Sequence, residues 1–179
     1  MAVVPASEIK GRPVIAIDEG VQIGVVERLY LDLPSRRLIG LAIDPGGSSL
    51  AQTPRIMADI GEILAIGPDV LTVASRAAVT GEALAAYDGP LVDVDDLRGL
   101  DVITEDGVKL GQVSALELDR DDRRLALLEI SKGRLKPPMH LPASSLRAIG
   151  LEAIVAASPA TETPVPPLQQ EGLGAEPIP

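Results

Sequence analysis

Gly20–Ile43, GVQIGVVERLYLDLPSRRLIGLAI, lies without a gap over Gly107–Ile130, GVKLGQVSALELDRDDRRLALLEI, and 12 of the 24 positions are identical. Unrelated segments of ordinary composition share about two. Self-similarity of this kind means one structural unit used twice. Backwards, Ile9-Lys10-Gly11 matches Leu97-Arg98-Gly99, and Val14-Ile15 matches Val102-Ile103. Forwards, Ala65-Ile66-Gly67 matches Ala148-Ile149-Gly150, and Val70–Ser75 matches Ala153–Ser158. The chain therefore divides into a first copy over 1–75, a linker over 76–94, a second copy over 95–158 and a tail over 159–179.

The shared pattern predicts strands and turns. Pro13–Ile17 and Asp101–Glu105 are short β-rich runs, each closed by an acidic-Gly turn ending at Gly20 or Gly107. A long strand follows over Val21–Asp32 and Val108–Asp119, with Gly24 and Gly111 inside it. Glycine there signals a bulge or a close backbone approach. The apolar spacing from Val113 to Leu116 slips from period two and resumes at Leu118, as one extra residue in a bulge requires. Turns at Asp32–Arg37 and Asp119–Arg124 lead into strands Leu38–Ile43 and Leu125–Ile130. A variable loop, an Ala-Ile-Gly turn and a closing strand complete each copy. No long 3.6-residue stripe is present, and Ala77–Tyr87 has room for one or two helical turns. From Pro159 the sequence TETPVPPLQQEGLGAEPIP is rich in Pro, Glu and Gln, a composition that predicts disorder.

Composition excludes several function classes. The chain has 46% hydrophobic residues, enough for packed cores, yet no Phe, no Trp and two Tyr. Its cores are aliphatic, and stacking platforms for bases or sugars are missing. With no cysteine there is no thiolate nucleophile and no cysteine-ligated metal. The longest apolar stretch, Ile60–Val73, is interrupted by Gly61, Glu62, Gly67, Pro68 and Asp69, so no membrane span is expected. Met1–Ser7 has no basic flank of a signal peptide, which makes a cytoplasmic location the expectation. The formal charge of −10 is spread along the chain with no net basic segment, which disfavours DNA.

The repeated landmarks resemble the PRC-barrel family. These are a Lys/Arg-Gly before the first strand, Gly-Val-x-Ile/Leu-Gly-x-Val in the second, an Asp before an Arg-Arg hairpin, and Ala-Ile-Gly before the last strand. The resemblance covers about 9–75 and 97–158. It implies an all-β chain of two tandem, six-stranded, mostly antiparallel barrels acting as a protein-contact scaffold. Well-known family members are the cytoplasmic domain of the photosynthetic reaction centre H subunit and the C-terminal domain of a ribosome-maturation factor. Neither a transmembrane helix like that of the first nor a separate N-terminal domain like that of the second is expected from these residues, since 1–75 is itself a copy of the repeat.

The residues offer few catalytic groups. His140 is the only histidine; Ser144 and Ser145 are near it in sequence, but no Gly-x-Ser-x-Gly elbow exists. Asp119, Asp121 and Asp122 lack the Gly and distant Glu of a calcium loop, and Arg120, Arg123 and Arg124 repel a cation. No catalytic residue, metal or cofactor is expected. The arginine pairs Arg36-Arg37 and Arg123-Arg124 recur in both copies. One member of each either bonds acidic partner groups or makes a hairpin salt bridge to Asp32 or Asp119.

The variable loops differ. In the first copy Asp44–Leu50 is nearly uncharged; in the second, Ser131–His140 carries Lys132, Arg134 and Lys136. On an extended backbone these three alternate positions face one side. The leading expectation is a non-enzymatic intracellular adaptor holding a protein partner through such loops. Alternatives are a ribosome- or RNA-associated assembly factor using the Lys132–His140 loop, a reaction-centre accessory protein, or a small-ligand site.

Overall fold

The computed structural model describes residues 2–46, 54–134 and 136–160. Most of the neutral loop of the first copy and the tail from residue 161 lie outside the described residues. The first half places β1 (Val3–Pro5), α1 (Ala6–Ile9), β2 (Pro13–Ala16), β3 (Val21–Asp32), β4 (Leu38–Asp44) and β5 (Ile56–Asp59) in order. A 3-10 turn (Ile60–Glu62) leads to β6 (Ile63–Ile66) and β7 (Leu71–Val73). The second half repeats this after α2 (Glu82–Ala85): β8 (Leu91–Asp93), a 3-10 turn (Val94–Leu97), β9 (Asp101–Thr104), β10 (Lys109–Asp119) and β11 (Arg124–Ser131). β12 (Met139–Pro142), a 3-10 turn (Ala143–Ser145), β13 (Leu146–Ile149) and β14 (Ala153–Ala156) complete it.

Each copy folds into a strongly bent sheet of its own six strands, ordered β5-β4-β3-β2-β7-β6 and β12-β11-β10-β9-β14-β13. The two edge strands of each sheet are joined by a single 3-10 turn, which brings the edges together at that end. The sheets are mixed, because β2 pairs β7 and β9 pairs β14 in parallel. The bend has a local cause. Pairing of β3 with β4 shifts register between Val26 and Arg28, and pairing of β10 with β11 shifts between Val113 and Ala115. One extra residue, Glu27 or Ser114, carries the chain across each bulge. Burial therefore moves from Ile23 and Val26 to Leu29 and Leu31 in β3, the same slip visible in the sequence of β10.

Gly24 and Gly111 mark the closest approach. A Cβ on Gly24 would run into the carbonyl of Asp44 and the Ile43 side chain; one on Gly111 would meet Ser131 and Ile130 in the same way. Lys10-Gly11 and Arg98-Gly99 also have one cause in common. Each glycine has positive φ, +79° and +82°, and donates its N–H to the bulged strand, at Val26 O (2.7 Å) and Val113 O (2.8 Å).

The two copies are interlocked rather than separate beads. β1, at the start of the first copy, pairs with β10 of the second, Val4 opposite Leu118. β8, inside the segment read as a linker, pairs with β3 of the first, Val92 opposite Leu31. The exchange is reciprocal, each leading strand completing the other copy's sheet. Val4, Ala6 and Ile9, like Val92, Val94 and Leu97, are buried, and residues of both halves form one continuous core. Three-residue strands are too short to show period-two alternation, so only the tertiary partner defines them. The rest of the linker is also fixed. Asp59 Oδ2 accepts from Ala83 N (3.0 Å), and its Oδ1 accepts from Leu84 N. Glu62 accepts from Thr80 N (2.8 Å) and Thr80 Oγ1 (2.7 Å). At the other end Ala160 packs against the core.

Gly24→Val and Gly111→Val are each expected to destabilise by about 1–3 kcal/mol or more through overpacking at the bulge. Gly61→Ala, which would meet nothing within 4 Å, stays within about 0.5 kcal/mol of the parent. Urea titrations of the three variants check the difference.

Candidate interaction surfaces

The hairpin between β3 and β4 and its repeat between β10 and β11 are closed by buried aspartates. Asp32 Oδ2 accepts the Ser35 N–H at 2.8 Å, while Asp119 Oδ1 accepts Asp121 N at 3.0 Å and Asp122 N at 3.2 Å. Burial disfavours the Asp32 carboxylate, but hydrogen bonds from Ser35 and the Tyr87 hydroxyl outweigh it and hold the pKa below the ordinary value. The turns leave Arg36 and Arg123 in left-handed backbone, φ +60° and +53°.

These arginines do not bond Asp32 or Asp119, as the hairpin reading allowed. Arg36 crosses to the second copy, donating Nη1 to Ala143 O and Nη2 to Leu146 O, both 2.6 Å. Arg123 makes the mirror contacts, Nη1 to Ile60 O (2.5 Å) and Nη2 to Ile63 O (2.7 Å). The acceptors are the carbonyls at the 3-10 turns that close each sheet. Between the clamps the backbones join directly: Leu38 N donates to Arg123 O (2.9 Å) and Leu125 N to Arg36 O (2.8 Å). Both aspartates are already occupied by turn N–H groups, which leaves the arginines to reach outward. Arg37 and Arg124, the second members, are exposed.

The basic loop departs from its expected geometry. Lys132, Arg134 and Lys136 are exposed, while Leu135 lies outside the described residues. A turn, Lys136 N to Gly133 O at 3.3 Å with Gly133 at φ +104°, breaks the extended run. Lys132 and Lys136 instead line one groove with Lys109 and Gln112, and Arg134 stands apart. Lys109 is paired with Asp101 at 2.7 Å. His140 is not brought to this groove. It lies on β12 opposite Glu129. It faces Glu117, whose carboxyl is pushed up by burial; His140 opposes that shift, and Glu129 and Glu8 add to it. Among the described residues no three His, Asp or Glu side chains converge where a metal could sit.

A third feature was invisible in the sequence. Tyr30, Met57, Leu84, Leu91 and the exposed Leu151 line an apolar cavity of about 420 Å³, with the Arg28–Asp93 ion pair (3.5 Å) and Asp96 at its rim. It is assembled from β3, β5, α2, β8 and a turn of the second copy. The one sequence signal is Gly40, where the repeat has Leu127: a Cβ at Gly40 would meet Leu84, so the glycine admits α2.

Replacing Arg36 removes two charge-assisted hydrogen bonds, and replacing Arg123 removes three, a 3.3 Å contact to Leu64 O included; carbonyls are left without these partners. Arg36→Ala and Arg123→Ala are each expected to lose about 1–3 kcal/mol. Arg36→Gly loses roughly 1 kcal/mol less, because glycine relieves the left-handed strain. Denaturant titration of the three proteins checks the order.

Among the described residues no helix is long and apolar enough to cross a membrane. No curated protein sequence shows a significant match to the chain. A family model of the PRC-barrel domain does match, over residues 1–79 and again over 91–159. Each match begins with an exchanged strand and ends past a closing strand, taking in the bulged strand and arginine hairpin between them. The chain belongs to the PRC-barrel domain family, which it carries twice in tandem.

Proposed function

We propose that the protein is a non-enzymatic adaptor, an interlocked pair of PRC-barrels that captures a protein partner through the basic β11–β12 loop. The observation supporting this reading is the convergence of Lys132 and Lys136 on one groove beside Lys109, with Arg134 exposed on the same loop. In a chain of net charge −10, such a cluster is not needed for solubility. Positive charge on a loop held by a rigid sheet steers an acidic surface and speeds encounter at low salt. The first copy offers no equivalent. Its neutral loop is followed by Arg55, which is paired with Glu27. Membership in a family of protein-contact domains points the same way.

Replacing Lys132, Arg134 and Lys136 together with Ala is expected to cut partner capture roughly tenfold at low ionic strength, with the difference shrinking as salt rises. The melting temperature stays within about 1 °C, because none of the three is buried. Affinity capture with mass spectrometry and a thermal melt provide both readouts. Undiminished capture by the triple variant overturns the reading. Loop-dependent co-sedimentation with ribosomes moves it to the assembly-factor alternative.

A further inference from the structure

Arg37 and Arg124 are partners in an isolated antiparallel bridge, one from each copy, at the centre of the pseudo-two-fold arrangement. The flanking hydrogen bonds run from Leu38 N to Arg123 O and from Leu125 N to Arg36 O. That pattern makes Arg37 and Arg124 a non-hydrogen-bonded pair, whose Cα atoms stand about 4.5 Å apart with side chains on one side. Like charges placed directly opposite in this way destabilise a ribbon. Both side chains are exposed. Arg124 has an ion pair with Asp122 at 3.2 Å; Arg37 has none among the described residues. The acidic neighbours are on the Arg124 side, where Asp119 is its cross-strand partner and is itself bonded to the turn N–H groups of Asp121 and Asp122.

We propose that Arg37 and Arg124 together form a binding site for a carboxylate, which an Asp or Glu of a protein partner supplies. Two planar guanidinium forks converging from opposite strands suit a single carboxylate, each donating to one or both oxygens. The surroundings select against a polyanion. Asp121 and Asp122 line the same groove as Arg37 and Arg124, and a nucleic-acid backbone would meet both of them. The site exists only where the two copies meet, since each contributes one arginine. It deepens the adaptor reading by adding a second contact, about 23 Å along β11 from the basic loop at the usual strand rise.

The test has two readouts on the full chain. Arg37→Gln is expected to raise the melting temperature by roughly 1–3 °C at low salt, a gain that salt screening removes. In titrations with the peptide acetyl-Gly-Glu-Gly-Glu-Gly-amide, the Nε–H signals of Arg37 and Arg124 are expected to shift together. Affinity falls several-fold in Arg37→Gln, and it survives replacement of Lys132, Arg134 and Lys136 by Ala. That survival separates this site from the loop. An unchanged or lowered melting temperature in Arg37→Gln overturns the proposal, as does an Arg37 signal that stays still up to tens of millimolar peptide. Inorganic phosphate or a short oligonucleotide saturating the pair at lower concentration than the peptide overturns the carboxylate assignment.

Discussion

Two arginines held in a backbone conformation they do not favour organise this molecule. In each copy a buried aspartate closes the hairpin, and four residues later the chain is left-handed, at Arg36 and Arg123. Glycine or asparagine would fit there more easily, and a non-glycine residue costs on the order of 1 kcal/mol or more. The strain is offset across the seam, where the guanidiniums donate to carbonyls of the other copy, two for Arg36 and three for Arg123. Those carbonyls belong to the turns that join the edges of each sheet. Clamp, closure and inter-copy contact are thus one interaction, made twice by reciprocal symmetry.

The exchanged strands follow from the same geometry. With the hairpin tips joined, the outer half of β3 and of β10 has a free edge next to the other copy's leading segment, and β8 and β1 occupy those edges. An uncovered edge invites association with other chains. Filling it from within one polypeptide removes that hazard and merges the two cores. The two copies depart from symmetry at α2 and at the basic loop. Asp59, Glu62 and Gly40 hold α2 on the first copy, whereas Pro142, Ser145 and Leu127 occupy the matching positions of the second. The second copy carries the basic loop instead.

Much of the fold was legible because the repeat allowed each signal to be seen twice. The glycines at 24 and 111, the slip between Val113 and Leu116, and the hairpin aspartates all specify local geometry, and local geometry is what sequence spacing records. The exchange was not legible, since Val3–Pro5 and Leu91–Asp93 become strands only through distant partners. The arginine pairs were half legible. Their recurrence marked them, but which member turns inward depends on backbone handedness and on carbonyls 59 to 63 residues away in sequence from Arg123 and 107 to 110 away from Arg36. The cavity beside Leu84 drew on five separated segments and left only Gly40 as a trace.

Each copy is completed by the strand that precedes the other. Deleting residues 2–5 and following amide hydrogen exchange tests this directly. Protection is expected to fall first along β10 and β11, more than 100 residues from the deletion, where β1 pairs. A loss of protection confined to β2, β3 and β4, with the second copy unchanged, would contradict it.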